Sequence, residues 1–97
     1  MSTYLVGYDL DKPDQEYEPL IKKLKSYGTW WHNLDSTWFV VSTNTVTQVR
    51  DELGELVGKS DKLLVVEVTL DSWASRGFNK EANDWLTKHV AGQVKTP

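Results

Sequence analysis

Residues 27–41 read Tyr-Gly-Thr-Trp-Trp-His-Asn-Leu-Asp-Ser-Thr-Trp-Phe-Val-Val, and they predict two β-strands joined by a turn. Trp, Thr, Phe and Val are residue types that suit the half-buried surface of a sheet. The turn is expected at residues 33–36, where Asn, Asp and Ser side chains can hydrogen-bond to their own backbone. The other predicted elements of the chain flank this hairpin.

A strand and a helix are predicted before the hairpin. The strand covers residues 3–10, and the helix carries apolar side chains at i, i+3, i+4 and i+7, which is the spacing of one helical face. These side chains are Tyr17, Leu20, Ile21 and Leu24. Pro19 implies either that the first turn of the helix is irregular or that the helix starts near Glu18. Gly28 is expected to end it.

A second helix and a fourth strand are predicted after the hairpin. Thr45 and Gln48 have the spacing of a capping box, in which each side chain binds a free backbone amide of the first turn. An apolar stripe follows over residues 46–57 and is stopped by Gly58. Residues 63–69 are nearly continuous in Leu and Val, which indicates a strand.

The predicted order is strand, helix, strand, strand, helix, strand. This order is typical of the ferredoxin-like βαββαβ class of α+β proteins, an antiparallel four-stranded sheet with both helices on one face. We expect residues 1–97 to form a single ferredoxin-like domain. Within it, residues 70–90 form an extra aromatic loop and a C-terminal helix capped by Asn79, and residues 91–97 form a flexible tail.

Composition limits the function classes. The chain has no Cys and no apolar run near the roughly 20 residues of a membrane span, so we expect no thiol chemistry and no membrane contact. The sequence also lacks the pattern of a signal peptide, which predicts a cytoplasmic protein. The formal net charge of −3 does not favour nucleic acid as a partner, because such binding depends on Lys and Arg contacts to phosphate.

The apolar pattern predicts a homodimer. Two helices cover one face of the sheet, yet the strands suggest apolar residues on both faces. The residues behind this expectation are Tyr4, Val6, Trp38, Val40, Leu63 and Val65. Either the third helix covers the second face, or a second copy of the chain does, or both do. We favour the second copy.

Several short motifs resemble known proteins. Tyr8-Asp9 at a strand end, Leu-Lys-Ser-Tyr-Gly at 24–28 and Ser-Thr-Trp-Phe at 36–39 resemble the small CRISPR-associated adaptation subunit, the second Cas family. A closer likeness is to short bacterial and phage proteins annotated SinR-like. That group carries similar motifs in the same order as residues 8–13, 27–32 and 35–38 of this chain.

The resemblance implies a role that this sequence supports only in part. The adaptation subunit is a homodimer that bridges DNA, and some members have metal-dependent nuclease activity at the strand-terminal Asp. By that match Asp9 is the catalytic and metal residue, with Mg or Mn as the cofactor. The chain departs from the family in its acidic charge and in Trp30, Trp31 and His32. We therefore expect a non-catalytic interaction module that has no cofactor and contacts a partner protein, with a nuclease using Asp9 as the alternative.

The candidate binding or interface residues are aromatic or polar side chains of the hairpin and the C-terminal segment. They are Trp30, Trp31, His32, Ser36, Trp38, Trp73, Arg76 and Phe78. The aromatic side chains could stack on bases, but core and interface packing is the stronger interpretation. Ser36 is also explained as a turn residue, and Arg76 as a partner of a carboxylate. Asp9 is also explained as a strand end that accepts loop amides.

A calcium loop at the first strand end is rejected. The acidic residues Asp9, Asp11 and Asp14 suggest one at first sight. A twelve-residue loop starting at Asp9 would require Gly at position 14 and Glu at position 20, where the sequence has Asp14 and Leu20.

Overall fold

The computed structural model describes residues 1–11, 17–68 and 73–90. In chain order the elements are β1 (Ser2–Asp9), α1 (Glu18–Ser26), β2 (Thr29–Leu34), β3 (Thr37–Ser42), α2 (Val46–Gly54), β4 (Lys62–Val68) and α3 (Lys80–His89). The four strands form one antiparallel sheet, which confirms the α+β prediction. The predicted tail at 91–97, the start of the predicted loop at 70–72, and Asp14 lie outside the described residues.

The two central strands of the sheet are β1 and β3. The strand order is β2-β3-β1-β4, and every pair of neighbours is antiparallel. It follows that β1 runs parallel to β2 with β3 between them, and β3 runs parallel to β4 with β1 between them. The helix α1 joins the first parallel pair and α2 joins the second. Each of these two connections therefore passes over one intervening strand.

The first face of the sheet packs against α1 and α2. Directly opposite residues on neighbouring strands share a face, so Val6 lies beside Trp38 and Tyr4 beside Val40. The buried members of this core are Tyr4, Val6, Leu20, Leu24, Trp38, Val40, Val49 and Leu53. The indole of Trp38 is fully buried, and its Nε1 donates a hydrogen bond to the hydroxyl of Tyr8 at 3.0 Å. Trp38 therefore sits where both helices and both central strands meet.

The second face of the sheet is also apolar, but its residues differ from those expected. Tyr4, Val6, Trp38, Val40, Leu63 and Val65 all belong to the first core or its margin. The prediction that these six residues represent both faces was wrong, because the β1–β3 register places residues 38 and 40 opposite 6 and 4. The second core instead contains Trp31, Phe39, Ala82, Leu86 and Val90.

The helix α3 covers the second core. The indole Nε1 of Trp31 donates to the backbone oxygen of Ala82 at 3.1 Å, and the hydroxyl of Thr3 donates to the backbone oxygen of His89 at 2.7 Å. The predicted N-cap is confirmed, because the side chain of Asn79 accepts a hydrogen bond from the Ala82 amide at 2.9 Å. The third helix was one of the two elements expected to cover the second face, and it does lie there.

Two boundaries differ from prediction for local reasons. The turn of the hairpin contains only Asp35 and Ser36, because Asn33 belongs to β2, where the register shifts between Trp31 and Leu34. The helix α2 begins with the predicted capping box but ends at Gly54, not near Gly58. The amide of Gly58 instead donates to the Asp61 carboxylate at 2.6 Å and belongs to the following turn.

We expect Trp38→Ala to lower the free energy of unfolding by roughly 3–5 kcal/mol, because it empties a fully buried indole site and removes the bond to Tyr8. Trp30→Ala is the matched control, since Trp30 packs on Trp38 but is 37% exposed. Urea unfolding of both variants measures the two costs. An equal cost at the two positions would show that Trp38 is not the centre of the core.

Candidate functional site

Two apolar side chains of β4 remain uncovered on the second face. Leu64 is 60% exposed and Val66 is 41% exposed, and neither belongs to a core cluster. They alternate with Leu63 and Val65, which pack at the margin of the first core. We call Leu64 and Val66 the β4 strip. It is one part of the second face that α3 leaves open among the described residues.

The neighbouring strand β1 extends the β4 strip toward the middle of the sheet. Gly7 lies opposite Leu64, and Leu5 lies opposite Val66. A Cβ atom placed on Gly7 would meet only Leu5 Cδ2, at 3.9 Å, so the surface above Gly7 is open. Leu5 is partly buried at the edge of the second core. The open surface is therefore continuous from the edge strand to a central strand.

Asp9 lies at the end of this surface. It is the last residue of β1, it is exposed, and its cross-strand neighbour is Lys62. Among the described residues, no side-chain hydrogen bond involves Asp9, and no group of three or more His, Asp or Glu could hold a metal ion. The described surroundings of Asp9 in one copy of the chain therefore do not make up a metal site.

The carboxylate that binds loop amides belongs to Asp61. Its oxygens accept hydrogen bonds from the Asp11 amide at 2.6 Å, the Gly58 amide at 2.6 Å and the Tyr17 hydroxyl at 3.2 Å. Asp61 thus joins the segment after β1 to the turn before β4. This role of Asp61 was not predicted from the sequence. The available signal was an Asp that closes a polar turn three residues after a Gly.

The hairpin residues Trp30, Trp31 and His32 point to alternate faces. Trp31 is buried in the second core, whereas Trp30 and His32 lie on the first face beside Trp38. The His32 ring stacks on the indole of Trp38, with centroids 3.9 Å apart and an angle of 12° between the planes. The ammonium of Lys25 lies 5.3 Å from the centre of the Trp30 ring. Trp30 and His32 therefore form an exposed aromatic margin over a buried Trp.

The remaining candidates lie at separate places. Trp73 and Phe78 pack at the edge of the second core, where Phe78 meets Trp31 edge-on at 5.2 Å. The backbone oxygen of Ser36 accepts a hydrogen bond from the Tyr8 amide at 3.1 Å, and Ser36 lies in the predicted turn. Arg76 is exposed and makes no ion pair with a described residue, so its expected carboxylate partner is not found there.

Comparison with known proteins adds no family assignment. No family model matches this chain. No solved structure matches it either. Within the described ranges, no helix has the length and apolar character to cross a membrane.

The contact of α3 with the second face contains a titratable group. The centres of the His89 and Trp85 rings lie 4.5 Å apart. The backbone oxygen of His89 accepts a hydrogen bond from the Thr3 hydroxyl. Burial lowers the pKa of His89 below its ordinary value, and the charge of Lys88 lowers it further. A His whose pKa is lower in the folded state binds fewer protons there than in the unfolded chain. Its contribution to stability is therefore complete above about pH 6.5 and decreases at lower pH.

We expect this decrease to depend on His89. As the pH falls from about 7.5 to about 5, the free energy of unfolding should decrease more in the wild type than in His89→Gln, since Gln cannot take up the proton. His32→Gln is the control, because His32 is exposed on the other face. Denaturant unfolding at several pH values measures both slopes. A wild-type slope that His89→Gln leaves unchanged would rule out His89 as the source.

Proposed function

We propose that this protein is a small ferredoxin-like interaction module that forms a homodimer through the β4 strip. The observation that carries the proposal is the exposure of Leu64 and Val66 on a regular strand whose alternate residues Leu63 and Val65 pack at the margin of the first core. A contiguous exposed apolar surface on a small protein is a common feature of interaction sites. A place in the cytoplasm belongs to the same proposal, on the composition of the sequence alone.

The topology supports the ferredoxin-like part of the proposal. Read from its other edge, the sheet has the order β4-β1-β3-β2, in which each helix joins two parallel strands that are separated by an antiparallel one. Such an order is expected of a split βαβ arrangement, and this agreement supports the proposal. A kinship with the SinR-like group and the CRISPR adaptation subunit is part of the proposal. It rests on the motifs, whose Tyr8-Asp9 pair ends β1 and whose Ser36–Phe39 segment enters β3.

A second copy fits the strip because a two-fold interface brings the same surface of both copies together, so that Leu64 and Val66 of each copy are buried. Complete burial of a Val or Leu side chain is worth about 1.5–3 kcal/mol, and both side chains of the strip are already partly buried. Four such side chains from two copies contribute roughly 4 kcal/mol. Association costs about 4–15 kcal/mol, so the strip alone cannot hold a tight dimer. We therefore expect a weak dimer whose contact extends over Leu5 and Gly7.

We predict that sedimentation equilibrium will give a mass that rises from 11.1 kDa toward twice that value as the concentration increases from about 10 µM to about 1 mM. Val66→Glu should keep the chain monomeric, because the dimer would then bury an unpaired charge. Val46→Glu is the matched control. Val46 is also a Val about one third exposed, but it opens α2 on the other side of the sheet, where an acidic residue suits the helix N-terminus.

Two results would contradict the dimer. One is a mass of 11.1 kDa at every concentration. The other is an equal loss of association in Val66→Glu and Val46→Glu, since that would place the contact elsewhere.

The alternative function is a metal-dependent nuclease that uses Asp9. Asp9 and Lys62 lie on the same face as Gly7 and Leu64, so a second copy on the β4 strip would bring its own Asp9 toward this face. That placement favours a carboxylate pair across the dimer, which one copy of the chain does not supply. It adds to the motif resemblance, which is the other ground for this alternative.

We expect no magnesium- or manganese-dependent cleavage of RNA or DNA by the wild-type protein. Asp9→Asn should change the free energy of unfolding by less than about 0.5 kcal/mol, because the exposed carboxylate makes no hydrogen bond to a described residue. Asp35→Asn, at the exposed hairpin turn, is the control. Cleavage that persists in Asp35→Asn and disappears in Asp9→Asn would establish the nuclease instead.

A further inference from the structure

The two edges of the sheet differ in regularity. The edge strand β4 pairs with β1 at seven consecutive residues, from Thr3 opposite Val68 to Asp9 opposite Lys62, without a shift in register. The other edge strand, β2, has a register shift between Trp31 and Leu34. Irregularities of this kind protect sheet edges from pairing with other chains, whereas a regular edge offers a row of backbone donors and acceptors. No described strand pairs with the outer edge of β4.

A groove runs beside this open edge, between β4 and α2. It consists of two adjoining open cavities of about 490 Å³ and 220 Å³, which share Arg50 and Leu63 in their walls. The larger cavity reaches Gly54 at the end of α2, and the smaller reaches Val46 at its start. A Cβ atom on Gly54 would meet no heavy atom within 4 Å, so the wall of the groove is open there.

An extended segment added to β4 would find a surface for each of its two faces. Side chains alternate across a strand. One set would enter the groove above Leu63 and Val65, and the other would lie beside the exposed Leu64 and Val66. Strand addition of this kind draws its affinity from backbone hydrogen bonds and its selectivity from pockets for alternate side chains. The β4 edge supplies both.

The charge of the groove indicates the chemistry of the segment. Arg50 binds Asp51 through two donors, Nε at 3.0 Å and Nη2 at 2.8 Å, so these two charges satisfy each other. Glu55 also lines the groove and has no ion pair with a described residue. With a net charge of −3 for the whole chain, a basic residue at the end of the segment would be attracted to this carboxylate.

We propose that the outer edge of β4 and the α2–β4 groove bind an extended segment of a partner protein as an added β-strand, with apolar side chains at alternate positions and a basic end. The inference rests on the proposed role as an interaction module and names its partner chemistry. The added strand would lie beside β4 in the plane of the sheet, with one set of its side chains outward of Leu64 and Val66. The proposed second copy would instead pack over Leu64 and Val66 and toward Leu5 and Gly7. We therefore expect peptide and second copy to bind at the same time.

The test uses an acetylated and amidated heptapeptide, Lys-Val-Thr-Val-Thr-Val-Lys, titrated into the full chain and followed by backbone amide shifts. We expect shifts concentrated in residues 62–68 and in α2. A peptide of the same length with Pro at the central position should bind at least about tenfold more weakly, because Pro removes a strand donor. Equal binding of the two peptides, or shifts elsewhere on the chain, would overturn the proposal.

Variants that fill the α2–β4 groove test whether side chains of the segment enter it. Gly54→Leu should weaken heptapeptide binding by about tenfold or more, and Thr47→Trp should do the same from the other cavity. Glu81→Leu, which adds the same side chain on the exposed face of α3, should bind as the wild type does. Circular dichroism confirms that each variant is folded. Wild-type affinity in the folded Gly54→Leu and Thr47→Trp variants would overturn the proposal.

Sedimentation in the presence of the peptide separates the two proposals. We expect the mass distribution to be unchanged by a saturating concentration of the heptapeptide. Dissociation of the dimer by the peptide would mean that the second copy occupies this edge, which would overturn the partner-segment proposal. Absence of a dimer together with peptide binding at β4 would overturn only the dimer.

Discussion

The pairing of β1 with β3 is the constraint on which the rest of the structure depends. Val6 opposite Trp38 places apolar side chains on the first face, and Leu5 opposite Phe39 places them on the second. Because side chains alternate with a period of two, a shift of one residue would send Trp38 to the wrong face. The bond from the Trp38 indole to the Tyr8 hydroxyl favours the same register, and the stacking of His32 from β2 helps to hold Trp38 on the first face.

Two apolar faces on one small sheet require cover on both sides. The helices α1 and α2 cover the first face, and α3 covers the second beside β2 and β3. The Thr3 and Trp31 bonds hold α3 at that position. The strand β4 lies farthest from β2 in the sheet. The exposure of Leu64 and Val66 is thus a consequence of where a single additional helix can lie.

Local signals predicted much of the fold. The Thr45–Gln48 capping box, the Asn79 cap and the apolar stripe of α1 each depend on residues within one or two helical turns, and all three are present. The end of α2 at Gly54 was missed, because the turn that follows is held by Asp61 through the Gly58 amide. The assignment of Leu63 and Val65 to a face also required the register with β1.

The candidate surface could not be predicted in the same way. Residues 63–66 read as one apolar run, and nothing in that run distinguishes the two partly buried residues from the two exposed ones. The distinction depends on the docking of α3, whose contacts with Thr3 and Trp31 span more than fifty residues of sequence. The stacking of His32 on Trp38 likewise needs the hairpin register. Long-range packing decides these features.

The central proposal is that the part of the second face left open at β4 binds another copy of the chain. The absence of Cys makes single-Cys variants direct probes, and Val66→Cys and Val46→Cys provide a pair of similar exposure on opposite sides of the sheet. The decisive measurement is the rate of thiol labelling of each variant as protein concentration increases. We predict rapid labelling of both variants at low concentration and a progressive slowing at position 66 alone. A rate at position 66 that is slow when the chain is dilute, or that never changes with concentration, would contradict it.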